Sequence, residues 1–107
     1  MEAFGRFLDI LDELRVKCPW DKKQTNESLR PNTIEETYEL CDALMRDDKQ
    51  DICKELGDVL LHVAFYAKIG SETGDFDIKD VCAVSYTHLR AHETGRKIVC
   101  RLLLEQK

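Results

Sequence analysis

Two acidic pairs carry the clearest chemical pattern in the chain: Glu36 and Glu39 in the run EETYE, and Glu55 and Asp58 in ELGD. Within each pair the spacing is i, i+3, so on a helix both carboxylates project from one side. Two such helices packed together would bring the carboxylates around one point. Such a gathering is costly, through repulsion and lost hydration, unless a counter-charge sits among the groups. Oxygen donors of this kind suit a hard divalent ion, magnesium or manganese. A bound ion of that type holds phosphate oxygens, neutralises a leaving pyrophosphate and acidifies an attacking water, so the pattern points to a phosphate-bearing substrate. Glu35 lies beside the cluster, placed to orient or deprotonate that water. The competing reading is a solvated acidic helix face. It fits EETYE alone better than it fits ELGD, which opens an apolar stretch.

The elements that must position these groups read as helices. Phe4, Phe7, Leu8, Leu11 and Leu14 recur at helical spacing over residues 2–17. The segment CPWDKKQTNESLRPN that follows, with two prolines and mixed polarity, reads as a long loop. A second helix is expected to start near Asn32 or Thr33, either of which could cap it. On its wheel Ile34, Tyr38, Cys41, Leu44 and Met45 share one side, and Glu35, Glu36, Glu39 and Asp42 the other. MRDDKQD reads as a polar turn, with Asp47 or Asp48 capping a third helix over about 48–70.

From Leu56 onward this third helix is apolar almost all round, which predicts burial by neighbours or by a partner subunit. Glu55, Asp58 and His62 run along it as one polar stripe. His62 either supports a metal ligand from behind or is a hydrogen-bonded helix histidine. Asp77 or Asp80 is expected to cap a fourth helix. In the loop, Trp20 beside Lys22 and Lys23 could stack on a nucleobase while a lysine meets phosphate; alternatively, it covers an edge of the core.

Bulk properties narrow the classes. A chain of 107 residues suits one small domain or part of an oligomer. The net charge of −5 argues against binding a nucleic-acid polymer, which needs a basic face. No apolar run is long enough to cross a membrane, and the N-terminus does not read as a signal peptide, so the expected location is the cytoplasm. Cys18, Cys41, Cys53, Cys82 and Cys100 are widely spaced and form no CxxC, which favours free thiols, with Cys41 and Cys53 filling space on helices.

The charge reverses near Cys82. Residues 1–82 hold eleven basic and nineteen acidic side chains, whereas residues 83–107 hold five and two. This marks a composition boundary between a domain at 1–82 and a tail at 83–107.

The ordered set CPWDKKQT, SLRP, EETYELCDAL, ELGDVLLHVAF and ETGDF resembles the MazG-type nucleoside triphosphate pyrophosphohydrolases over about residues 7–82. The resemblance implies an all-α fold, an antiparallel helical bundle completed by dimerisation or higher homo-oligomerisation. It implies magnesium-dependent hydrolysis of a nucleoside triphosphate to the monophosphate and pyrophosphate, with water attacking the α-phosphate. Carried over by motif, Glu36, Glu39, Glu55 and Asp58 are the metal ligands and Glu35 supports the catalytic site. Trp20, Lys23 and Gln24 become candidate nucleotide contacts.

Asn26 and Asn32 stand where the family often has histidine and tyrosine. The larger departure is VSYTHLRAHETGRKIVCRLLLEQK, where the family usually continues through a basic stretch. That tail resembles a sequencing adapter translated in frame onto a truncated gene, and His88, His92 and Glu93 within it are then accidental. A binding module of a different class, a helical metal-binding or protein-interaction domain without catalysis, would use the same acidic face. A di-iron bundle requires Glu-x-x-His pairs, which this stretch lacks.

The composition boundary is testable. Limited proteolysis is expected to remove residues beyond about Cys82 first, as read by mass spectrometry of the fragments. A protease-resistant tail would contradict the boundary.

Overall fold

The computed structural model describes the backbone of residues 2–105 and the side chains of residues 2–91. The elements are α1 (Glu2–Lys17), α2 (Pro19–Lys23), α3 (Asn26–Arg46), α4 (Lys49–Glu72) and α5 (Ile78–Glu105), and no strand occurs among the described residues. The expected all-α class is therefore what the chain adopts. The expectations for His92, Glu93 and Cys100 concern side chains outside the described residues.

The segment expected as one long loop is mostly helical. Pro19 opens α2, where its fixed φ suits the first helical turn. α3 then starts at Asn26, not near Asn32. The reason is a reciprocal cap: the Thr25 hydroxyl accepts from the Ser28 N–H at 3.1 Å, and the Thr25 N–H donates to the Ser28 hydroxyl at 2.8 Å. These bonds satisfy donors the first turn would otherwise leave open. Pro31 consequently lies inside α3, and its missing N–H leaves the Glu27 carbonyl without an in-helix donor. Both residues are exposed, so this defect faces solvent.

α3 and α4 form the central antiparallel hairpin and share the most extensive contact in the chain. Asp47 closes α3 in the left-handed region at φ 55°, and its N–H reaches back to the last turn of the helix. Asp48 then caps α4, its carboxylate accepting from the Asp51 N–H at 3.2 Å. Arg46 ties the corner together through Asp42 at 3.0 Å and through Asp51. Asp77 and Asp80 exchange backbone-to-carboxylate bonds, both at 3.0 Å, at the start of α5.

α1 packs on α4. Lys68 pairs with Asp12 at 3.2 Å and Arg15 with Glu72 at 2.8 Å, so the two helices advance in the same direction. The core between α1, α3 and α4 is small: Leu11, Leu29, Ala64 and Phe65 are buried, with Phe7, Leu8, Tyr66 and Ile69 packed against them.

One expectation about burial is corrected. Cys41 and Cys53 are exposed and fill no core space, because each sits off the stripe that α3 and α4 turn toward each other. The apolar run of α4 is only partly covered within one chain, with Leu56, Leu60, Leu61 and Val63 exposed, so neighbours in the same chain do not supply all of the burial expected from neighbours or a partner subunit.

Removing the Thr25 cap should destabilise α3 where it carries the site. Thr25→Ala is expected to cost about 1 kcal/mol of folding free energy, as read by urea denaturation.

Candidate metal centre and nucleotide recess

α3 meets α4 along Leu29, Thr33, Glu36, Leu40 and Ala43, positions spaced to lie on one helix face. Ala43 is wholly buried at 0 % exposure. The acidic side of α3 is thus the inward side. Ile34 and Leu44 face outward, as do Tyr38 at 75 % and Met45 at 86 % exposure. This orientation carries Glu36 and Glu39 against the first turns of α4, where Glu55 is buried at 4 % exposure.

One carboxylate oxygen from each of Glu36, Glu39 and Glu55 lies within 4.8 Å of the others. Glu36 Oε2 and Glu55 Oε2 are buried and make no hydrogen bond. Buried anionic oxygens without donors are costly, and here they converge. Burial, aided by contact with the Glu55 carboxyl and repulsion from Glu39 and Asp58, pushes the Glu36 carboxyl up to about 7. The Glu39 carboxyl is raised too, first by desolvation and then by Glu55.

Asp58 stands one turn along α4 from Glu55. It lies outside the closest group of three and is tied to Lys54, whose ammonium donates to Glu55 Oε1 at 2.9 Å and to Asp58 Oδ2 at 3.2 Å. Those two contacts raise the Lys54 pKa. Lys54 is the partial counter-charge of the cluster, a role readable in hindsight from its i, i+4 spacing to Asp58. Glu35 is exposed at the edge, and its charge is felt at Glu39.

The donor set is all hard oxygen, two of the oxygens are orphaned, and the groups converge. These residues fit a divalent cation of the magnesium or manganese kind. Glu36, Glu39 and Glu55 would hold it, with Asp58 adjacent.

Beyond the cluster, toward the start of α3, Trp20, Asp21, Leu29, Leu61, His62 and Phe65 enclose a recess of about 50 Å3. Trp20 is 57 % exposed at its rim. The Gln24 side chain is engaged within the loop, donating to the Trp20 carbonyl at 2.9 Å and accepting from the Ser28 hydroxyl at 2.8 Å. Lys23 is exposed.

Arg15 holds this segment in place. Its guanidinium donates to the Asp21 carbonyl and to those of Lys22 at 3.3 Å and Gln24 at 2.9 Å, forms a two-bond pair with Glu72 at 2.8 and 2.9 Å, and lies over the Phe65 ring. The pair holds the Glu72 carboxyl below its ordinary value. His62 accepts or donates at Nδ1 with the Thr33 hydroxyl at 2.6 Å, and Thr33 also meets the Tyr66 hydroxyl. Burial lowers the His62 pKa against the opposing pull of Asp58. Nothing in the spacing of the sequence links Arg15 to Glu72, or Thr33 to His62 and Tyr66, because those contacts exist only after the helices pack.

The MazG nucleotide pyrophosphohydrolase domain matches residues 24–91, more than half of the chain and inclusive of Glu36, Glu39, Glu55 and Asp58. The chain belongs to the MazG family. Among its relatives, a nucleoside triphosphate pyrophosphohydrolase of Escherichia coli K12 is 48% identical over 86 residues, covering 78% of this chain and 33% of that protein. A nucleoside triphosphate pyrophosphohydrolase/pyrophosphatase MazG of Thermotoga maritima is 50% identical over 82 residues, 73% of this chain and 31% of that protein. The uncharacterized protein YabN of Bacillus subtilis is 47% identical over 92 residues, 83% of this chain and 19% of that protein. The chain thus spans about a third or less of the length of these relatives. The family match runs nine residues past the composition boundary at Cys82, into a part of α5 where residues 83–91 are all exposed.

The raised Glu36 carboxyl fixes the sign of a pH effect. Its folded pKa of about 7 exceeds the ordinary 4.5, so the folded state binds the extra proton between those values. Metal-free stability from this group therefore falls as pH rises through that window and stays low above it. A divalent ion relieves the same repulsion. The magnesium-induced rise in melting temperature is expected to be larger at about pH 8 than at about pH 5, and Glu55→Gln should abolish most of it. Melting curves with and without excess magnesium read both.

Proposed function

We propose that this chain hydrolyses nucleoside triphosphates to nucleoside monophosphate and pyrophosphate in a magnesium-dependent reaction, with manganese as an alternative ion. The observation that carries the reading is the pair of buried, donorless oxygens on Glu36 and Glu55 within a group of three converging carboxylates. Family membership supplies the substrate class. Glu36, Glu39, Glu55 and Asp58 hold the ion in this proposal. When bound, the ion neutralises phosphate charge and acidifies a water.

The chain's own groups do the rest. Glu35, exposed beside the cluster, takes the proton of the attacking water. Lys54, released from Glu55 and Asp58, offsets charge on the departing pyrophosphate. Trp20 stacks on the base at the rim of the recess, Lys23 reaches phosphate, and Gln24 braces α2, which carries both. The fixed Arg15 contacts keep that helix in place before substrate arrives, which saves ordering entropy on binding.

The outward apolar residues Ile34, Tyr38 and Met45 of α3 and Leu56, Leu60 and Val63 of α4 support assembly of at least two copies, since a monomer rarely exposes so much apolar surface. In this proposal the activity works in the cytoplasm, where free nucleotides are found. No helix is long and apolar enough to cross a membrane among the described residues.

The deciding experiment is product analysis with a panel of nucleoside triphosphates and magnesium. Pyrophosphate plus monophosphate is expected, with at least a 100-fold loss in Glu55→Gln, a ligand of the ion that must offset developing charge. Release of orthophosphate, or activity indifferent to the substitution, would overturn the proposal.

A further inference from the structure

The hydrogen-bonded group of Thr33, His62 and Tyr66 lies outside the acidic cluster and has no part in the chemistry above. We infer that His62 is a substrate-positioning residue whose Nε2 hydrogen-bonds the 3′ hydroxyl of the nucleotide sugar. The inference rests on the proposed nucleotide hydrolysis and adds a contact to it.

The argument begins with placement. Thr33 precedes Glu36 by three residues on α3, and His62 follows Asp58 by four on α4, so both continue the inward faces that carry the carboxylates. Four residues of helix advance about 6 Å. That is close to the span from an α-phosphorus to the 3′ hydroxyl of its own sugar, which is fewer bonds away than the 2′ hydroxyl. With the α-phosphate at the cluster and the base at Trp20, the sugar falls between them. His62 lies between them too, since it lines the recess with Trp20.

Hydrogen-bond accounting supplies the chemistry. The His62 Nδ1 is committed to the Thr33 hydroxyl at 2.6 Å, while Nε2 has no partner among the described residues. Thr33 has a single hydroxyl proton and three neighbours: the imidazole, the Tyr66 hydroxyl and the Leu29 carbonyl at 3.1 Å. If that proton goes to Nδ1, Nε2 carries a hydrogen and donates. If it goes to the Leu29 carbonyl, Nδ1 donates and Nε2 accepts. A hydroxyl satisfies either tautomer, because it both donates and accepts. A phosphate oxygen satisfies only the first. Burial lowers the pKa of the ring, which favours the neutral form that both arrangements require. The Thr33 hydroxyl holds Nδ1 and the Tyr66 hydroxyl holds Thr33 in turn, so the imidazole is tethered before substrate arrives.

The test pairs deletion on the protein with deletion on the ligand. The full chain and its His62→Leu, His62→Gln and Thr33→Val variants are assayed for pyrophosphate release. Substrates are the best nucleoside triphosphate from the panel and its 3′-deoxy counterpart. Wild type is expected to lose about tenfold in kcat/KM on the 3′-deoxy substrate, the worth of one neutral hydrogen bond. His62→Leu should lose about the same on the parent substrate and show no further loss on the analogue. His62→Gln, which keeps a polar end at similar reach, should retain much of the discrimination, and Thr33→Val should retain less than wild type. The loss should appear in KM more than in kcat.

A His62→Leu variant that discriminates like wild type overturns the inference, even if its activity is low. Equal wild-type activity on the two substrates overturns it as well. Those failures leave pyrophosphate release intact and are thereby distinct from failure of the underlying reading, in which wild type releases no pyrophosphate from any nucleotide and both proposals fall.

Discussion

The structure turns on one unfavourable arrangement: the helical hairpin packs its acidic side inward. Glu36, Glu39 and Glu55 meet within 4.8 Å in the α3–α4 interface, where hydration is reduced. Alone, such a cluster pushes the hairpin apart. What opposes it is distributed along the same seam. Ala43 seals one end, and Leu29 on Phe65 forms part of the core at the other. Lys54 offsets part of the charge between them. The helices therefore tolerate a local electrostatic debit at their middle because their ends are apolar and well packed. That is the organisation expected of a site whose strain is relieved by what binds there.

The second organising feature is Arg15. One guanidinium serves three backbone carbonyls around the end of α2, those of Asp21, Lys22 and Gln24, while pairing with Glu72 of α4. A planar group with several fixed donors suits this task in a way a lysine does not. The segment carrying Trp20 is thus tied to the helix that carries Glu55 and His62. The recess at Trp20 and the acidic cluster are held in one frame through two helices, α1 and α4.

Much of this was legible in the sequence, and the parts that were not have specific causes. The four acids were readable because i, i+3 spacing is a local property, and a helix converts it directly into a shared face. Local reasoning likewise narrows the caps to Asp47 or Asp48 and to Asp77 or Asp80, and the structure places them at Asp48 and Asp77. The start of α3 was misplaced because Pro31 dominated the reading, while Thr25 and Ser28 close a cap six residues earlier that keeps the helix going through it. The direction of α3 was hidden for a different reason. Ile34, Tyr38 and Met45 make a better apolar stripe than the face that is buried, so amphipathicity points away from α4. Arg15 with Glu72, and Thr33 with His62, join residues far apart in sequence and leave no local trace.

The corner at Asp47 and Asp48 has an evolutionary corollary. Only two residues separate α3 from α4, and one of them is already in the left-handed region at φ 55°. Each helical residue turns the chain by about 100°, so one residue inserted into either helix between the corner and its acids would swing those acids off the shared seam. Single-residue insertions and deletions across the stretch from Glu36 to Asp58 should therefore be purged, whereas point substitutions on its outer face are tolerated. The length of this stretch, more than most of its letters, is what descent has to preserve.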